Sequence, residues 1–116
     1  MTSSECVEKL VEDVETILNN NDCVLHAVVN NAACLVLARL EWQTQDLIQR
    51  QLQVNLQGPA DVCRSFLPVL RSGGRIINIS SPVTRTRLPL SSVYAASKVR
   101  IKMINFMTYS DILRQD

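Results

Sequence analysis

Hydrophobic positions along this chain fall into two kinds of pattern that alternate. Residues 4–18 place apolar side chains at Val7, Leu10, Val11, Val14, Ile17 and Leu18, the stripe of an amphipathic helix. Thr2 and Glu5 have the spacing of a capping box at its start, and Asn19, Asn20, Asn21 and Asp22 form a turn cluster that ends it. Val24 to Asn30, VLHAVVN, is short, β-branched and apolar without alternation, which predicts a strand covered on both faces as in a parallel sheet. His26 inside it reads as a core histidine rather than a catalytic one. Asn30-Asn31-Ala32-Ala33 closes the strand with polar residues at the carboxyl edge of the sheet, where open α/β folds bind ligands.

Residues 34 to 41 read as a loop and Trp42 as a packing residue. Thr44 is placed to N-cap a long helix from about Gln45 to Leu70. Gly58-Pro59 falls in its middle. Pro59 has no N–H to give the carbonyl of Asn55, so the sequence predicts a kink that leaves this carbonyl for a water. On spacing alone the same kink reads as a helix bend with no function. Arg75 to Ser80, RIINIS, is the second strand, launched by a Gly73-Gly74 turn. Pro82 to Leu90 is a loop, and a final helix runs from Ser91 or Ser92 to about Arg114 without glycine or proline. The order helix, strand, long helix, strand, long helix predicts an α/β fold with a parallel sheet and right-handed crossovers. Two strands leave both sheet edges open, so the chain reads as a slice of a larger doubly wound sheet.

Composition narrows the class. With 116 residues, 47% hydrophobic and 20% charged, the chain suffices for one small globular domain. A net charge of +1 gives no electrostatic case for nucleic acid or an acidic membrane as partner. No apolar run reaches the length of a membrane span, and the first residues do not have the pattern of a leader. Four cysteines without a CxxC pair, beside one histidine, predict no metal site. Reduced thiols in a cytoplasmic compartment are the expectation.

Candidate chemistry gathers between Gly73 and Lys98. Ser81 sits where the second strand ends. Tyr94 and Lys98 lie four residues apart on the final helix and so share a face. A hydroxyl, a phenol and an ammonium can therefore converge at one mouth of the sheet. A free phenol, of pKa about 10, is mostly protonated at neutral pH, and an ammonium one helical turn away favours its phenolate. Such a pair suits general acid–base duty, with the serine hydroxyl stabilising charge on a substrate oxygen. Arg85 and Arg87 decorate the intervening loop, either as solvated charges or facing an anion. Val83, Leu88 and Leu90 are read either as packing or as contacts to an apolar alcohol or ketone.

Four motifs stand in one order: VVNNAA at Val28–Ala33, VNLQG at Val54–Gly58, GRIINISS at Gly74–Ser81 and YAASK at Tyr94–Lys98. Together they resemble the short-chain dehydrogenase/reductase family, most closely its retinol and hydroxysteroid dehydrogenase branch. The resemblance covers roughly Val7 to Arg114. It implies a partial Rossmann-type fold of about two strands and three helices, and an NAD- or NADP-dependent oxidoreductase of alcohols and ketones. It implies a catalytic set of Ser81, Tyr94, Lys98 and Asn55, with Asn30, Ala32, Tyr94 and Lys98 on the cofactor. Ala33 stands where the family has glycine, which is mild only if the backbone there keeps a negative φ. The family's Thr-Gly-x-x-x-Gly-x-Gly phosphate loop is not among these residues, and Gly58, Gly73 and Gly74 cannot build one. Residues 1–116 are therefore expected to be the central, catalytic segment of such a domain, without its N-terminal cofactor half and its C-terminal part, and unable to act alone. The alternatives are a non-catalytic form that pairs with an intact subunit through the two long helices, as homo-oligomers of the family do, or a remnant without stable function. An anchor elsewhere in a longer chain would make the protein membrane-associated.

Overall fold

The computed structural model of the chain describes residues 4–86 and 88–112. Its first element is helix α1, Ser4–Asn20. Val7 is buried on it, with Leu10, Val11 and Val14 packed alongside, while Ile17 of the expected stripe is exposed. The turn cluster ends the helix as a left-handed cap. Asp22 takes φ 50, the Cys23 N–H donates to the Leu18 carbonyl at 3.0 Å, and the Asn21 side-chain amide donates to the Ile17 carbonyl at 2.7 Å. The Thr2–Glu5 capping box and the end of the final helix near Arg114 lie outside the described residues, as does Arg87.

Strand β1, Leu25–Asn30, follows and pairs in parallel with β2, Leu70–Asn78. The expected long helix is three pieces. Helix α2, Gln45–Leu52, is N-capped by Thr44, whose side chain accepts from the Leu47 N–H. A π-helical turn, Gln53–Gln57, comes next, in which the Gly58 N–H donates to the Gln53 carbonyl. Helix α3, Gly58–Phe66, then completes the segment. The predicted kink at Pro59 is thus a change of hydrogen-bond register just ahead of the proline. Pro68 stops the helix short of Leu70 by sitting in a 3-10 turn, Leu67–Val69, after which the chain is extended.

β2 starts five residues earlier than the pattern RIINIS suggests. Its register jumps between Leu25↔Leu70 and Ala27↔Arg75, so extra residues are accommodated on β2 alone. Gly73 and Gly74 sit inside this bulge rather than before the strand. Gly73 has φ +72, and a Cβ on Gly74 would lie 2.9 Å from the Arg71 carbonyl. The last element is α4, Ser92–Ile112.

The helices cover one face of the sheet. Val7 of α1 packs with Val62 and Phe66 of α3, and Leu25 and Val28 of β1 lie against this cluster. α4 lies alongside α2 and β2. The opposite face carries Val29, 55% exposed, and Ile77, 44% exposed, in register with each other. No described helix packs on it, so the expectation of a strand covered on both faces is corrected. His26 is exposed on the strand and is not a core histidine. Trp42 is 68% exposed, its ring under the Arg39 guanidinium at 5.1 Å, and so is not a packing residue either.

Candidate functional site

β1 and β2 end side by side, and α4 returns over their carboxyl ends. Lys98 is the residue that joins them. It is 3% exposed, and its Nζ donates to the Ile79 carbonyl at 2.9 Å, one residue past β2. Burial pushes its pKa down. Tyr94, one turn earlier on α4 and partly buried, presents its ring to the Lys98 ammonium at 6.0 Å from the centroid. Ser80 clamps the same turn from the strand side by donating through Oγ to the Lys98 carbonyl at 3.1 Å. These two bonds set the chain that continues into Ser81 against the turn of α4 that carries the phenol and the ammonium.

Ser81 is extended, with φ −148, and starts the 3-10 turn Pro82–Thr84. Its Oγ accepts from the Val83 N–H at 3.3 Å, a cap that fixes the hydroxyl oxygen and leaves the hydroxyl hydrogen to be donated. Among the described residues no hydrogen bond joins Ser81 to Tyr94. Val83 is buried, so it is a packing residue. Leu88 and Leu90 are exposed and line an open groove of about 590 Å³ with Arg39, Arg85, Ser91 and Ala95.

Asn55 lies in the π turn and is buried. Its side chain is fully used. Oδ1 accepts from the Cys34 N–H at 2.7 Å, while Nδ2 donates to the Cys34 carbonyl at 2.8 Å and to Ser97 Oγ at 3.1 Å. Ser97 Oγ in turn donates to the Tyr94 carbonyl at 2.7 Å. Asn55 thus reaches α4 one residue before Lys98. Its side chain has no donor left for a ligand, and Pro59 brings no hydrogen to its backbone carbonyl.

Asn30 ends β1 opposite Asn78, and its Nδ2 donates to Asn78 Oδ1 at 2.6 Å. Both amides also reach the Cys63 sulfur, at 3.7 and 3.9 Å. Cys63 is buried, and this burial pushes its thiol up in pKa, the two amides offsetting it in part. The Asn30 side chain therefore secures the two strand ends to each other. Ala32 is exposed and borders an apolar cleft of about 240 Å³ with Asn30, Val54, Pro59 and Phe66. Ala33 is not in the left-handed region, so the missing glycine costs the backbone nothing there.

The structure thus gathers Tyr94, Lys98, Ser80, Ser97 and Asn55 in one bonded corner, with Ser81 next to it. Asn30 and Ala32 lie at the neighbouring end of β1. Ser80, Ser97, Asn78, Gln43 and Gln51 are polar fasteners that the sequence did not single out. Ser97 had a local signal, since it lies three residues after Tyr94 and one before Lys98. The others depend on which segments meet in space. Of the glycines, Gly58 is helical and Gly73 and Gly74 form the bulge, so no phosphate cradle is built from described residues. Among the described residues no group of ligating side chains has the makings of a metal site, and no helix is long and apolar enough to cross a membrane.

Comparison with known proteins gives a consistent picture. Mitochondrial D-beta-hydroxybutyrate dehydrogenase of Rattus norvegicus is 34% identical over 115 residues, which is 98% of this chain and 32% of the relative. Human retinol dehydrogenase 5 is 32% identical over 118 aligned positions, covering all of this chain and 35% of the relative. The crystal structure of landomycin C-6 ketoreductase LanV, with bound NADP and rabelomycin, superposes with a TM-score of 0.78 at 33% identity, over 84% of this chain and 41% of that one. The chain spans about a third of the length of the curated relatives it matches. The family described as short chain dehydrogenase matches residues 1–111, and this chain belongs to that family of oxidoreductases.

Proposed function

We propose that this chain carries the proton-transfer site of an NAD(P)-dependent oxidoreductase acting on an apolar alcohol or ketone. The observation that carries the reading is the buried Lys98 ammonium, fixed on the Ile79 carbonyl with the Tyr94 ring beside it. In this reading Tyr94 exchanges a proton with the substrate oxygen, and Lys98 favours the phenolate by its charge. Ser81 donates its hydroxyl hydrogen to the same oxygen and stabilises the charge that develops there. The Asn55 carbonyl, lacking a proline N–H to bond, holds a water that exchanges protons with Lys98. NAD(P), when bound, would supply the redox chemistry as acceptor or donor of a hydride. Tyr94, Lys98, Asn30 and Ala32 are the residues here that would meet it. Leu88 and Leu90 in the groove supply apolar contact for the substrate, and free thiols fit a cytoplasmic setting.

The test is a chimera in which residues 1–116 replace the matched segment of the rat hydroxybutyrate dehydrogenase, compared with the same chimera carrying Tyr94→Phe. Turnover at saturating cofactor is expected to fall by roughly 10²- to 10⁴-fold in the Tyr94→Phe chimera. Equal turnover in both, with cofactor bound, would sink the reading.

Exposed Leu52 on α2 and Val99 on α4 favour a second reading, a non-catalytic chain that pairs with an intact subunit through its long helices. Sedimentation of the chain mixed with such a subunit decides it: a complex that Leu52→Glu dissolves supports it, and two independent boundaries reject it.

A further inference from the structure

Three amide side chains, Gln43, Gln51 and Asn55, are buried, and Gln51 is 0% exposed. An amide in that setting costs stability unless its polar atoms are paired. Here they are paired to one segment. Asn55 bonds both the N–H and the carbonyl of Cys34, as described above. Gln51 Oε1 accepts from the Val36 N–H at 3.2 Å. Gln43 Nε2 donates to the Ala38 carbonyl at 3.1 Å. Gln51 Nε2 donates to Gln43 Oε1 at 2.9 Å and to the Leu47 carbonyl at 3.3 Å, so Gln51 and Gln43 are bonded to each other, and Asn55 joins them only through the segment all three hold. Cys34, Val36 and Ala38 are alternate residues, and the backbone groups that the three amides bond all come from this one segment, a strap over residues 34–38. The strap is held as an edge strand would be, but by side chains in place of a neighbouring strand. Its far end is pinned by the Ala38 N–H, which donates to the Leu90 carbonyl at 3.0 Å across the groove.

We propose that Gln51 is a positioning residue for this site: by fixing Val36 and, through Gln43, Ala38, it sets the register of the 34–38 strap at which Asn55 meets both Cys34 and Ser97. Gln51 and Asn55 are four residues apart on one helical face, so a slip of the strap at Val36 is a slip at Cys34. Calling the site catalytic rests on the function proposed above, whereas the strap geometry does not.

The experiment uses the ¹⁵N-labelled 116-residue chain and the variants Gln51→Leu and Gln51→Glu. In its neutral form the Gln51→Glu carboxyl donates to Gln43 Oε1 and accepts from Val36, restoring both contacts. In its ionised form it has no donor, and it faces Gln43 Oε1 with like polarity. The expected result for Gln51→Glu is native protection of the Cys34 and Val36 amides at acid pH. Raising the pH through the buried carboxyl's titration should lower that protection by roughly tenfold, with the Asn55 side-chain NH₂ resonances moving together with it. Amides of the β1–β2 ladder keep their protection throughout. Gln51→Leu shows the loss at every pH, and if that variant fails to fold, the pH comparison within Gln51→Glu decides alone. Unchanged strap protection and unmoved Asn55 resonances across the titration would overturn the proposal. So would an equal loss at the β1–β2 ladder, which would make Gln51 a general stability residue. Neither outcome bears on turnover of the Tyr94→Phe chimera, so the two readings fail separately.

Discussion

The two faces of the β1–β2 sheet are finished to different degrees. On the inner face, Val28 lies against Val7, Val62 and Phe66, and Asn30 and Asn78 are bonded to each other beside Cys63. Among the described residues no buried side-chain nitrogen or oxygen is left without a partner. On the outer face Val29, Ile77 and Ile79 meet solvent. The difference separates two demands of a fold. Polar satisfaction is local: Asn55, Ser97, Ser80 and Lys98 find partners within elements that touch each other. Hydrophobic cover is not local, and no described element supplies it on the outer side. The corner that carries the candidate chemistry therefore has its buried side-chain polar atoms hydrogen-bonded while the sheet beneath it is half covered.

This contrast can be broken or sharpened by substitution. The largest effect is expected at Phe66. Phe66→Ala should cost about 3–5 kcal/mol in urea unfolding, a large part of the stability of a small domain. A loss under about 1 kcal/mol would mean that the inner cluster is not the core. Lys98→Met gives a smaller effect with a definite sign. Burial lowers the Lys98 pKa, so the unfolded chain binds that proton more tightly than the folded one. The cost of the buried charge is present in full below the lowered native value. It is relieved as pH rises from there to the ordinary lysine range. Wild type should therefore gain stability relative to Lys98→Met across that alkaline window, and a pH-independent difference would contradict a buried ammonium. The smallest effect is expected on the outer face, where Ile77→Thr should change stability by no more than about 0.5 kcal/mol. A loss there to match Phe66→Ala would show that the outer face is covered in solution.

What the sequence made legible follows the same line between local and distant. The Tyr94–Lys98 spacing, the Thr44 cap and the break near Pro59 depend on residues within a turn or two of each other. The structure has the cap, a π turn at the break, and both side chains on one turn of α4. The parallel pairing of two strands also follows from the alternation of elements. The exposure of His26 is hidden because an apolar segment without alternation does not reveal which of its faces meets a neighbour, and that of Trp42 because residue type alone does not say what surrounds a side chain. The early start of β2 was hidden because Gly73 and Gly74 signal a turn equally well before a strand or as a bulge within it. The roles of Gln43 and Gln51 were hidden for a different reason. Exposed glutamines and buried ones look alike in the sequence until the 34–38 strap is laid across them.

In the function proposed above, proton transfer falls to the corner of Tyr94, Lys98, Ser81 and Asn55, while the described residues build no cradle for a dinucleotide's phosphates. Titration of the 116-residue chain with NADH and NADPH, followed by cofactor fluorescence, tests that division most directly. The predicted result is no saturable binding in the micromolar range with either cofactor. Saturable micromolar binding by this chain alone would contradict it.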